Sequence, residues 1–248
     1  MIAAVSVVIP ARNEEAEIAG CLRSVLAAAA HLTGARPDLR VRVVVVLDDC
    51  RDATAAIVAR TPGVDVLAGV LGCVGGARRA GAQHALTGLT GLTAQNRAGA
   101  GSATVPAEAH WLASTDADCR VPIDWLTRMV AHADTGADLV LGTVRPRPGL
   151  SPAARRAWLA AHRSDDGHPH VHGANLGIRA STYSRIGGWS SLTHGEDVDL
   201  VRRAEAAAGV RVQRSGDLMV RTSARLVGRA PHGFAAYLRD LVAEAPPA

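Results

Sequence analysis

Apolar runs and helical periodicities alternate along the chain. Residues 5–10 form an almost wholly apolar run, as expected of a strand buried on both faces of a parallel sheet. Asn13 is placed to cap a helix over 14–30 that carries acids in its first turn. A second buried strand covers 41–47 and ends at Asp48-Asp49, and a short helix runs from Asp52 or Thr54 to 59. A weak strand over 64–67 precedes a helix over 77–86 that opens at Gly75-Gly76. Residues 87–109 are rich in Gly, Thr and Ala with little periodicity, which reads as a long mobile surface loop. The pattern resumes with a strand over 111–115, a helix over 123–133 begun by Pro122, and a strand over 139–143. Arg145-Pro146-Arg147-Pro148-Gly149 breaks it. Beyond lie a helix over 152–162, a strand over 174–179, a short helix to 186, a helix over 196–208 closed by Gly209, and short strands over 211–213 and 218–221. Strands alternating with helices predict an α/β domain with a doubly wound, mostly parallel sheet, which binds ligands beyond the carboxyl ends of its strands. The polar residues after the strands, Arg12-Asn13-Glu14 and Asp48-Asp49, fall at that edge.

Composition narrows this only slightly. The length, 248 residues, fits one domain better than two. Aromatics are 3%, so the core must be built from Val, Leu, Ile and Ala. All 27 basic residues are Arg, and the net charge of +4 suits a phosphate-bearing ligand. The arginines are scattered rather than striped among aromatics, which excludes nucleic acid as an expected partner. Cys21, Cys50, Cys73 and Cys119 make no Cys-x-x-Cys pair and suggest a reducing compartment. No signal peptide opens the chain and no apolar run reaches the ~18 residues of a membrane span. A cytoplasmic protein is expected, with Arg155-Arg156 offering at most peripheral contact with an anionic membrane.

Three features carry chemistry. Asp116-Ala117-Asp118 sets two carboxylates just past a buried strand, the arrangement that holds Mg2+ or Mn2+ together with substrate phosphates. Taken alone it reads equally as a solvated turn. Gly195-Glu196-Asp197 puts acids at a helix N-terminus, where the dipole favours the ionised form that a general base needs, although ordinary capping looks the same. Gly75-Gly76-Ala77-Arg78 lets a backbone and a guanidinium approach phosphate, a weak signal by itself. His168-Pro169-His170-Val171-His172 alternates imidazoles, which on a strand share one side and suit either a transition metal or an acceptor-side loop.

Their order is more specific than any one of them. Val7-Val8-Ile9-Pro10-Ala11-Arg12-Asn13-Glu14-Glu15, Asp48-Asp49-Cys50-Arg51-Asp52-Ala53-Thr54, Gly76-Ala77-Arg78, Asp116-Ala117-Asp118, Gly173-Ala174-Asn175 and Gly195-Glu196-Asp197 follow one another from about residue 5 to 209. The series resembles the family 2 glycosyltransferases of GT-A fold, in their small, non-processive form. The resemblance implies a single GT-A domain over 1–248, with a nucleotide-binding half over 1–118, an acceptor and catalytic half over 119–225 and a tail over 226–248. It implies that Pro10, Arg12, Glu14, Asp48, Gly76, Arg78 and Asp116 surround the nucleotide. By the same resemblance, Asp118 with Asp116 holds Mg2+ or Mn2+, and His172, Gly173, Ala174 and Asn175 line the sugar pocket. Asp197 acts as general base beside Glu196 in an inverting displacement. The donor would be a nucleotide-diphosphate sugar, by default a UDP-sugar, and the acceptor a small molecule, lipid or glycan.

The chain departs from the family pattern at Cys50, where Gly or Ser is common. A further metal ligand, His194 or His232, cannot be chosen between. The Gln-x-x-Arg-Trp motif of polymer-making members is absent. A nucleotidyltransferase would carry Gly-x-Gly-x-Arg after the first strand, and a nicotinamide oxidoreductase Gly-x-Gly-x-x-Gly. That place reads Pro10-Ala11-Arg12-Asn13-Glu14.

Overall fold

The computed structural model describes residues 1–88, 105–226 and 234–244. Among them seven strands form one sheet: β1 (Ala4–Ala11), β2 (Arg40–Asp48), β3 (Asp65–Gly69), β4 (His110–Ser114), β5 (Leu139–Pro146), β6 (Leu176–Arg179) and β7 (Val212–Thr222). The helices are α1 (Ile18–Ala35), α2 (Thr54–Ala59), α3 (Val74–Gly88), α4 (Trp125–Asp134), α5 (Pro152–Ala161), α6 (Ala180–Arg185), α7 (Glu196–Ala206) and α8 (Phe234–Glu244). The strand order is β3-β2-β1-β4-β6-β5-β7, and only β6 runs against its neighbours. The doubly wound, mostly parallel sheet is thus as expected.

The pleat divides the apolar strand residues between two cores. Val5, Val7 and Ile9 pack with Ile18, Leu22 and Val25 of α1 and Trp125, Leu126 and Met129 of α4. Val8, Val44 and Val46 face α3, α6 and α7 through Ala77, Ala82, Tyr183, Leu200 and Val201. α3 comes close because residue 81 is glycine; a Cβ there would collide with Val8 and Val46. α1 has 18 residues and a mean hydropathy of 1.3, so by length and composition alone it is apolar enough to cross a membrane. No run of that kind was expected from the sequence; here its Ile18, Leu22, Val25 and Leu32 are core residues.

The reversed strand β6 shapes the site. Leu176 pairs with Ser114, so residues 173–175, which enter β6, sit beside the exit of β4. Thr222 pairs with Pro146, which brings the exit of β7 to the same edge. The segments after β4 and β7 and the one entering β6 therefore meet along one rim.

Several boundaries differ from expectation. Asn13 has φ 53°, and its Oδ1 accepts the Arg51 N–H rather than capping a helix, so α1 starts at Ile18 with no acid in its first turn. β5 continues through Arg145-Pro146 because β7 pairs with it there. The two short strands expected after 211 are one eleven-residue strand, and α8 forms in what was read as a tail. Most of the 87–109 loop lies outside the described residues.

Candidate active site

β1 leads into the first cluster. Pro10 is its penultimate residue, and Arg12 just beyond is half exposed and faces Asp49 at 3.7 Å. Asp48, the last residue of β2, is buried, and one of its oxygens accepts N–H groups from Leu71 (2.6 Å) and Gly72 (3.2 Å). It thereby fixes the turn that starts α3. Glu14 is also buried, and its backbone N–H donates to the Thr54 hydroxyl at 2.7 Å.

The glycines opening α3 serve packing as well as approach. A Cβ at Gly75 would overlap the Ser190 carbonyl, and the Gly75 N–H donates to Leu192 O at 3.3 Å. The Gly76 N–H points at Cys73 Sγ. One turn on, Arg78 is 3% exposed. Its guanidinium bonds Asp116 at 2.5 Å on one side and Glu196 on the other, and lies 5.3 Å from the centre of the Trp189 ring. One arginine therefore spans the Asp116-Ala117-Asp118 and Gly195-Glu196-Asp197 motifs.

Asp116 and Asp118 follow β4. Asp118 accepts from the Thr222 hydroxyl at 3.3 Å and faces Arg225 at 3.1 Å. Burial, then the neighbouring Asp116, pushes its carboxyl up to about 6, against the opposing pull of Arg225. Asp116, Asp118 and Cys119 each offer a ligand atom within 4.8 Å of the others. Two crowded carboxylates in a shielded place fit a hard divalent cation. Among the described residues this is the group of three with such spacing, so His194 is not brought into it. His232 lies outside the described residues.

Gly195, at φ 71°, sets the first turn of α7 in a conformation that suits glycine. The two acids that follow part company. Glu196 turns inward, 4% exposed, onto Arg78, and burial raises its pKa while Arg78 opposes the rise. It was expected beside the acceptor; the inward face of the helix takes it instead. Asp197 turns to the rim, where Oδ2 accepts the Gly173 N–H and Oδ1 the Val198 N–H, each at 2.8 Å. Asp197 makes no ion pair among the described residues.

Gly173 must be small, since a Cβ would overlap the Arg78 guanidinium. Ala174 is buried beside it. Asn175, expected in the sugar pocket, is fully buried; its amide accepts from Trp125 Nε1 (2.9 Å) and donates to Thr143 O (2.8 Å) and Leu218 O (3.0 Å). It is committed to the interior. His172 borders the site, and burial lowers its imidazole to about 4, so it is neutral at pH 7. His168, His170 and His172 stack in sequence with ring centres 5.9 Å apart, and His162 stacks between the middle ring, His170, and Trp158. The three rings do share one side, but their nitrogens do not converge as metal ligands would.

In the sequence Arg225 follows the last strand and reads either as a contact for the diphosphate or as part of a solvated basic segment. It forks onto Glu14 with two 2.7 Å bonds and reaches Asp118 as well. Arg120 and Arg147 likewise hold Glu17, at 2.8 and 2.5 Å. For Arg225 the usable signal was position: it comes three residues after the last strand, at the carboxyl edge of the sheet.

The family model described as "Glycosyl transferase family 2" matches residues 6–187. No curated protein matches the sequence. Among solved structures, the chain is similar to a mannosyltransferase from Pyrobaculum calidifontis in complex with GDP-Man and Mn2+, at 20% identity and a TM-score of 0.60, over 94% of this chain and 59% of that one. It is also similar to glucosyl-3-phosphoglycerate synthase from Mycobacterium tuberculosis. In complex with phosphoglyceric acid that enzyme matches at 19% identity and a TM-score of 0.54, over 99% and 81% of the two chains. In complex with Mn2+, UDP and glucosyl-3-phosphoglycerate it matches at 18% and 0.51, over 97% and 76%. At these identities the likeness is one of fold, that of the GT-A glycosyltransferases. The chain spans about three-fifths of the mannosyltransferase's length.

Proposed function

The chain belongs to glycosyl transferase family 2, and from that premise we propose that it moves a sugar from a nucleotide-diphosphate donor to an acceptor hydroxyl in one inverting displacement, with Asp197 as the base. The observation that carries this reading is the Arg78 bridge. It touches both Asp116 and Glu196, so a single guanidinium links the Asp116-Ala117-Asp118 segment to the residue next to Asp197. The 1–118 half would hold the nucleotide, with Pro10, Arg12 and Asp48 around the nucleoside and Gly76 and Arg78 toward the phosphates. The 119–225 half would present the acceptor.

The roles follow from the contacts. Asp197 has a backbone N–H on each oxygen and, among the described residues, no cation paired with it, which leaves lone pairs for a hydroxyl proton. Asp118, with Asp116, would hold Mg2+ or Mn2+, which when bound offsets the charge gathering on the departing diphosphate. Arg78 adds a fixed positive charge on the same side. Glu196 holds Arg78 in place and takes no proton from the acceptor. His172, neutral beside Gly173, offers a hydrogen bond to a sugar or acceptor oxygen without competing for the proton. The default donor is a UDP-sugar, with a GDP-sugar as the alternative. The acceptor class stays open among small molecules, lipids and glycans.

Calorimetric titration of UDP, GDP and their sugars, with and without Mn2+, tests this. One nucleotide should bind, and its affinity should fall at least about tenfold in EDTA or in Asp118→Ala. Absence of nucleotide binding under every condition would defeat the reading.

A further inference from the structure

Each acid of the Asp116–Asp118 pair already has a cation beside it: Arg78 on Asp116 and Arg225 on Asp118. The two arginines are not equivalent. Arg78 is 4% exposed in its side chain, sits inside α3 and is held from the far side by Glu196. Arg225 is 26% exposed and lies past the end of β7, on a segment that has left the sheet. Its guanidinium joins an acid that follows β1 to one that follows β4, forking onto Glu14 and placing Nη2 3.1 Å from Asp118 Oδ2. Glu14 and Asp118 are nearly enclosed, at 9% and 13% side-chain exposure. Arg225 thus sets one positive charge between two carboxylates in a shielded place, where unbalanced charge is expensive.

We propose that Arg225 is the chain's own stand-in for the divalent cation: it ties Asp118 to Glu14 while the site is free of metal, and metal binding displaces it from Asp118. This rests on the reading of Asp118 as a metal ligand. A guanidinium and a doubly charged ion cannot share one carboxylate oxygen at this distance without strong repulsion. Of the two contacts, the single bond to Asp118 is the weaker; the fork to Glu14 survives its loss. Displacement leaves Nη2 with a free donor at the rim, available to an anionic oxygen of the donor. Because coupling is reciprocal, the arginine must weaken metal binding by the same factor by which metal weakens its hold on Asp118.

Mn2+ binding without nucleotide, followed by electron paramagnetic resonance on the full chain, reads this directly. Arg225→Gln should bind Mn2+ about tenfold more tightly than the wild type. Asp118→Asn should abolish binding in either background. Equal or weaker binding by a folded Arg225→Gln, with Asp118→Asn still abolishing it, overturns the proposal and leaves the metal site standing. No Mn2+ bound by any variant defeats both. Hydrogen exchange on the unmodified protein gives a second reading that needs no variant. Amides 222–226 should lose protection on adding Mn2+ alone, and unchanged protection there overturns the displacement.

Discussion

The two sides of the rim hold their carboxylates by opposite means. On the side formed by β1 and β4, Glu14, Asp116 and Asp118 are paired with guanidinium groups, two of them with Arg225 and one with Arg78. On the side formed by α7, Asp197 is held by two backbone N–H groups and borders an imidazole kept neutral by burial. A carboxylate balanced by a full positive charge can exchange that charge for another, which suits a place that must admit an ion and a diphosphate. A carboxylate oriented by neutral dipoles keeps lone pairs open to a hydroxyl proton, which suits proton removal. The difference teaches that neighbouring acids can be assigned by what holds them. Glu196 and Asp197 are adjacent in sequence, yet among the described residues only the first is held by a guanidinium, which is why the second is proposed as the base.

The sharpest way to break the comparison is Asp197→Asn. Its amide oxygen can still accept the Gly173 N–H, so the fold and nucleotide affinity should persist while kcat falls about 10²–10⁴-fold, as initial rates and calorimetry will show. Full turnover would remove the contrast between the two sides. Next in size is Arg78→Gln, which strands Glu196 without its partner. Urea unfolding should show a loss of about 3–5 kcal/mol, where Asp197→Asn shows little.

The third variant, Asp118→Asn, has the smallest effect and the opposite sign. Asp118 has a folded pKa of about 6, above its ordinary 3.8. A raised carboxyl binds more protons in the folded state, so its contribution is favourable below the ordinary value and is lost as pH climbs toward 6. In EDTA at pH 7.5 the asparagine variant should therefore be more stable by about 2 kcal/mol, and its stability should lack the wild type's decline between about pH 4 and 6. Melting curves across that range decide it.

What the sequence disclosed follows from range. Residues 5–10 and 41–47 reveal strands because burial on both faces makes each run apolar in itself. Asp48, Asp116 and Asp118 were legible because strand ends in such a sheet fall along one rim. Their partners were not, because Arg78 meets Glu196 across 118 residues and Arg225 meets Glu14 across 211. No local pattern encodes such pairs. The same limit explains the misread strand β7. Ser215-Gly216-Asp217 reads as a break, and only pairing with β5, where a register shift lies between Leu141 and Thr143, carries the strand through. Asn13 misled for a related reason. It has the chemistry of a cap, but its side chain is taken by Arg51 across the β1–β2 gap. Asn175 shows the converse, a polar residue beside the site whose bonds all run inward.

The contact at Gly75 has a mechanical consequence. The donor-side helix α3 rests there on the backbone of residues 190–192, three residues ahead of the Gly195 turn that aims Asp197. The two walls of the crevice are joined like the jaws of a pair of pliers at the pivot. A displacement of α3 would be passed through this contact to the segment that leads into α7. A single methyl group at position 75 would spring the joint and let each jaw move alone.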